Sequence, residues 1–237
     1  MKQQIPFAFP LRSRATFSNF VVENNAELVQ SLTALKNPGL NPAIPPGAAR
    51  TVWIWGEAGL GRTHLLNACC HWFNTKQAKV AYIPTADWQS QGDSFAGYQG
   101  FDLVAIDDVH LCLNKEQAER DLVELYQAMQ NTSGYLLLSA DRPPGKCTYA
   151  FKDLASRFTS AETYQLSALS DPGKMQVMQS QAAHRGIELE EEVARFMLTR
   201  CSRHLSDLIK LLDELDQQSW ARKRKLTIPF LKEVLKI

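Results

Sequence analysis

The stretch Thr51-Val52-Trp53-Ile54-Trp55-Gly56-Glu57-Ala58-Gly59-Leu60-Gly61-Arg62-Thr63 constrains this chain more than any other. A short apolar run that stops at a glycine has the pattern of a buried parallel strand. Behind it, Leu65, Leu66, Cys69, Trp72 and Phe73 recur at helical spacing as far as Asn74. Strand, glycine-rich turn and helix in that order match the phosphate-binding loop G-x-x-x-x-G-K-[ST], with Arg62 standing where lysine is usual. Glycines let backbone amides wrap around phosphate oxygens, the helix aims its positive end at them, and the Thr63 hydroxyl is placed to hold Mg²⁺. Gly56, Ala58, Gly59, Leu60, Gly61, Arg62, Thr63 and His64 are therefore the candidate phosphate contacts. Arg62 keeps the charge but is a planar fork instead of a compact ammonium, which bears on hydrolysis more than on binding.

A loop of this kind sits at the end of a parallel strand, and the remaining sequence supplies the sheet. Residues 79–83, 102–106, 135–139 and 162–166 read as further strands, and 115–130 as a helix. Five short strands separated by helical or long connections predict a parallel sheet covered on both faces. A helix over 24–36 carries Leu28, Leu32 and Leu35 on one face and gives way to a proline- and glycine-rich loop. After Asp171-Pro172, a good N-cap and first-turn proline, the strands stop. Helices run from there to Gly186 and over 190–201, 205–222 and 228–236. The predicted organisation is an extended tail over 1–15, an α/β domain over 16–169 and a small all-α domain over 170–237.

Composition excludes several classes. Lysine plus arginine (26) against aspartate plus glutamate (25) leaves +1, so bulk charge does not draw the chain to nucleic acid or membrane. Apolar stretches such as 103–106 and 135–138 fall far short of the ~20 residues that cross a bilayer. The five cysteines contain no C-x-x-C pair, so they read as small buried hydrophobes in a reducing cytosol. The five histidines form no metal-ligand pattern, and the basic run 222–225 reads as a solvated helix end.

The second chemical signal is Leu103-Val104-Ala105-Ile106-Asp107-Asp108, an apolar strand ending in two acids downstream of the phosphate loop. In that place Asp107 holds Mg²⁺ through water, and Asp108 polarises the attacking water.

Thr16-Phe17-Ser18-Asn19-Phe20-Val21-Val22, the loop GEAGLGRTHLL, VAIDDVH, Leu138-Ser139-Ala140-Asp141-Arg142-Pro143 and Ser156-Arg157-Phe158 together resemble the AAA+ domain of the bacterial replication initiator DnaA. The resemblance covers nearly the whole chain and implies an α/β AAA+ P-loop NTPase with a five-stranded parallel sheet and a helical lid. It implies a catalytic set of Arg157 as arginine finger for a neighbouring subunit's nucleotide, Asp108, and Asp141 as sensor 1. It further implies Arg203 as sensor 2 and Phe20 and Val21 beside the base. On spacing alone, Asp141 is equally a turn residue, Arg157 a solvated helix-end arginine, and Phe20 and Val21 core residues.

The initiator's N-terminal interaction domain and C-terminal helix-turn-helix have no counterpart in the sequence. With Arg62 in the loop and a glutamine-led tail, the resemblance narrows to the DnaA-related regulators that inactivate the initiator. Gln4, Ile5, Phe7 and Phe9 are similar to peptides that dock in the sliding-clamp cleft, the competing reading being packing on the protein's own surface. What this implies is ADP or another nucleoside diphosphate, with ATP as the alternative, and Mg²⁺. The partners implied are the DnaA initiator and the clamp, with DNA met only through the clamp, no membrane, and homodimerisation left open. The location implied is the bacterial cytoplasm, at the nucleoid through the clamp. The rival readings are a self-sufficient AAA+ ATPase such as a helicase loader, and a small-molecule phosphotransferase.

Overall fold

The computed structural model describes residues 15–35, 50–86, 95, 97–132, 134–222 and 224–236. Gln4, Ile5, Phe7 and Phe9 lie outside the described residues. Two compact units account for the chain. The first holds the described residues of 15–20, 25–57 and 61–166, and the second those of 21–24, 58–60 and 167–236.

In the first unit, α1 (Ala26–Ala34) precedes β1 (Arg50–Trp55), α2 (Arg62–Asn74), β2 (Val80–Pro84), β3 (Leu103–Asp107), α3 (Glu116–Thr132), β4 (Tyr135–Ala140), α4 (Lys152–Thr159) and β5 (Glu162–Gln165). The five strands form one parallel sheet in the order β2-β3-β4-β1-β5. The expected five-stranded parallel sheet is therefore present. Strands alternate their side chains between faces. Trp53, Val104, Ile106, Leu136 and Leu138 point into a core closed by α3 and α4. In α2, Leu65, Leu66, Cys69, Cys70 and Phe73 are buried together with Arg62, Asn67 and Ala68, and the helix packs on β2, β3 and β4. Burial pushes the Cys70 thiol up to about 12, in keeping with a cysteine that serves as a small hydrophobe. The polar edge strand β5 is tied to α1 where Ser31 Oγ donates to Glu162 Oε1 at 3.1 Å.

The sequence pattern placed a helix end at Arg157 without marking the extent of α4. It has eight residues, and only Leu154 and Phe158 are buried, too few to establish a period. Aromatic packing holds it. Phe158 lies 5.5 Å from the fully buried Trp53, 6.4 Å from Tyr126 and 6.3 Å from Tyr149, centroid to centroid. Burying one such side chain contributes about 1.5–3 kcal/mol.

In the second unit, α5 (Asp171–Ala183), α6 (Glu191–Arg200), α7 (Leu205–Arg222) and α8 (Ile228–Leu235) enclose Met178, Val193, Met197, Leu208, Leu212 and Phe230. Ser170 caps α5, its Oγ accepting from the Gly173 N–H at 3.2 Å. Glu23 accepts in turn from Ser170 N at 2.8 Å and Ser170 Oγ at 2.6 Å, bonds that lower its carboxyl pKa. Gly59 has φ +84° and a side chain's Cβ there would meet Ser206 Oγ at 2.9 Å, so glycine is required twice over. Arg222 and Arg224 are exposed, as expected of a solvated helix end, and both donate to Glu233 at 2.7 Å and lie over the Phe230 ring.

Candidate nucleotide site

β1 delivers the chain to Gly56, whose N–H donates to the Ala140 carbonyl at 3.3 Å. The turn closes at Gly61, the N-cap of α2, with φ +106°. A Cβ there would stand 3.2 Å from Phe20 Cε2, so a larger residue would also press on the aromatic ring. Immediately after it, the amides of the first turn of a 13-residue helix have no intrahelical acceptor and carry the positive end of its dipole. That is a cradle for phosphate oxygens.

Asp107, a residue only 5% exposed, ends β3. Its Oδ2 accepts from Thr63 Oγ1 at 2.7 Å and Tyr82 Oη at 2.8 Å, and its Oδ1 accepts from Ser139 Oγ. Three hydroxyls satisfy what would otherwise be a costly buried charge. The two residues expected at Mg²⁺, Thr63 and Asp107, are thus in direct contact. A hydroxyl and a carboxylate are the hard oxygen donors this ion takes, so the pair fits it.

Asp108 follows in the left-handed region, φ 55° and ψ 43°. Its N–H donates to Ser139 Oγ at 2.8 Å, and Thr85 Oγ1 bonds the carbonyls of Asp107 and Asp108 at 2.8 and 2.7 Å. These contacts over-determine an unfavourable backbone conformation. They set the carboxylate 2.9 Å from Arg62 Nη2. The contact is ionic without a well-directed hydrogen bond, since Asp108 Oδ1 and Arg62 Nη1 are both buried without a hydrogen-bond partner. Burial raises the Asp108 carboxyl pKa, and the Arg62 guanidinium offsets this in part.

His110 stands between two acids, Nδ1 4.0 Å from Asp108 and Nε2 3.9 Å from Asp141. Burial holds its imidazole below the ordinary value. Asp141 itself is gripped by Arg142, whose Nε and Nη2 each donate at 2.7 Å, and this holds its carboxyl low.

Comparison with known families decides what this cradle belongs to. Residues 11–164 match the bacterial DnaA ATPase domain, and residues 171–235 match the lid domain of Hda. The chain belongs to the bacterial DnaA ATPase family. It is an Hda-like, DnaA-related AAA+ protein. Domain III of the Thermotoga maritima initiation protein DnaA superposes with a TM-score of 0.80 at 22% identity, over 96% of this chain and 98% of that one. AMPPCP-bound DnaA from Aquifex aeolicus gives 0.69 at 23%, over 86% and 66%. The Thermotoga maritima RuvB branch migration motor gives 0.68 at 19%, over 94% and 71%, a likeness of fold.

The other expected residues fall as follows in the DnaA-family chain. His64 Nε2 lies 3.0 Å from the Thr16 carbonyl and its ring 5.6 Å from that of Phe20, so it fixes the segment carrying the expected base wall. Burial lowers its pKa. Val21 groups with the second unit. Arg203, also there, has a side chain 80% exposed and a distant carboxylate partner in Asp171 at 3.9 Å. Arg157 is not the solvated residue that spacing alone suggested. It pairs with Asp153 at 3.0 Å and lies over the Tyr126 ring at 5.0 Å.

Sequence reading missed Tyr82, Thr85, Ser139 and the place of His110. Ser139 did leave a signal, as the one serine in the apolar run of β4.

Proposed function

We propose that this protein is a nucleotide-bound regulator that makes the DnaA initiator hydrolyse its ATP, acts with the sliding clamp on DNA, and so represses re-initiation. The observation that carries this reading is the joining, in one chain, of a DnaA-type ATPase domain and an Hda-type lid. ADP or a related diphosphate sits on the loop Gly56 to Thr63, and the AMPPCP bound by the Aquifex DnaA supports an adenine nucleotide. Thr63 and Asp107 hold Mg²⁺, which neutralises phosphate charge when bound. Phe20 and Val21 serve the base, and Arg203 and Asp141 keep the sensor roles that the family resemblance implies. Gln4, Ile5, Phe7 and Phe9 tether the protein to the clamp in the bacterial cytoplasm, and DNA is met through that clamp. Arg157 is offered to the initiator's ATP, completing a site the initiator lacks alone.

The test is to measure ATP hydrolysis by the purified protein alone, then with ATP-loaded initiator and clamp on DNA. Turnover that appears only with all three components supports the reading. Equal turnover by the protein alone would favour a self-sufficient ATPase.

Thr63→Ala is expected to weaken Mg²⁺-dependent diphosphate binding about tenfold, the scale of one lost charge-assisted contact. Isothermal calorimetry reads this directly, and absence of binding by the native protein at millimolar ligand would defeat the nucleotide assignment. Gln4→Ala combined with Phe7→Ala is expected to abolish capture by immobilised clamp and leave the melting temperature unchanged. Equal capture of native and variant protein would return the tail to the self-packing reading.

A further inference from the structure

The loop arginine and the second acid of β3 are contacts of one another, and this bears on which nucleotide the cradle accepts. We infer that Asp108 is a specificity-determining counter-ion of Arg62, not a general base, and that their pair closes the terminal-phosphate end of the site against a third phosphate. The inference rests on the nucleotide-binding reading above.

In a phosphate loop, the cation after the last glycine reaches the β- and γ-phosphates. Here that cation is 9% exposed and its Nη2 is already 2.9 Å from Asp108 Oδ1. A guanidinium has two arms, and Nη1 is buried with no hydrogen-bond partner. One arm therefore serves Asp108 and the other is left for one phosphate oxygen. An ammonium, a point charge on a single flexible stem, has no such fork. Asp108 has little freedom to withdraw. Its left-handed backbone is pinned by Ser139 and Thr85, and burial lowers the pKa of the neighbouring His110, which disfavours a competing cation there. Asp141, the next acid along, is already held by Arg142.

A diphosphate leaves the Arg62–Asp108 pair intact. A triphosphate must pull Arg62 away, which strands a part-buried carboxylate beside the incoming anion, and separating one partner of such a pair is costly.

The test is calorimetric affinity for ADP and for a non-hydrolysable ATP analogue, with Mg²⁺, on the native protein and on Asp108→Asn. The native protein is expected to favour ADP, and Asp108→Asn to shift the ATP-analogue to ADP affinity ratio about tenfold towards the analogue. Asp108→Ser is measured beside it, with a thermal melt of each, so that misfolding of one variant leaves the other to decide. An unchanged ratio in a folded variant overturns the role of Asp108 while leaving nucleotide binding in place. Failure of the native protein to bind either nucleotide overturns both readings.

Discussion

Arg157→Ala is expected to leave folding, nucleotide binding and clamp capture intact while stimulation of the initiator's hydrolysis falls about 10³-fold or more, the range a trans-acting arginine supplies. The structural cost is small for stated reasons. The Arg157–Asp153 contact is an (i, i+4) pair with a 57% exposed carboxylate, worth roughly 0.3–0.5 kcal/mol. The cation–π contact with Tyr126 adds about 0.5–1 kcal/mol. Leu154 and Phe158, which hold α4 in the core, are untouched. A group that acts on charge developing in the transition state is missed in rate and not in assembly. Single-turnover hydrolysis of initiator-bound ATP, with clamp complex in excess, reads the effect. A variant that stimulates as well as native protein would remove Arg157 from the mechanism.

Where the information lies in the chain explains what was legible. The strand, loop and helix from Arg50 to Asn74 are contiguous, and glycine has few substitutes at the positive φ of Gly59 and Gly61, so the pattern is written locally. The run 103–108 was legible for the same reason. The ring of hydroxyls around Asp107 was not, because Thr63, Tyr82 and Ser139 come from α2, β2 and β4, and only the sheet order brings them together. Nor was the Arg62–Asp108 pair, which depends on the reach of a side chain and on one left-handed residue. Helix α4 was legible only as a helix end at Arg157, its extent hidden for want of length, although it carries the arginine on which the proposed function turns.

What holds α4 in place leads to the second large expected effect. Glu119→Ala is expected to lower the melting temperature by about 10 °C, corresponding to roughly 3–5 kcal/mol in a domain of this size. Glu119 is 0% exposed, in the first turn of α3, where the helix dipole favours a carboxylate. Its Oε1 accepts from the backbone N–H of Asn114 at 2.6 Å and of Ala150 at 3.0 Å, and its Oε2 from Phe151 at 2.8 Å. One side chain thus ties the start of α3 to the segment that opens α4, whose N-cap is Phe151. Alanine leaves three amide donors facing a cavity, and each unmet donor costs about 1–3 kcal/mol. Glu119→Gln separates charge from shape. Its amide oxygen can replace Oε1, but its NH₂ then meets the Phe151 N–H donor to donor, so an intermediate loss of roughly 1–3 kcal/mol is expected. Because α4 carries Arg157, both variants are also expected to stimulate the initiator less well at temperatures where they remain folded. A Glu119→Ala protein that melts within about 2 °C of the native one would mean that water, and not this carboxylate, satisfies the three amides and sets the position of α4.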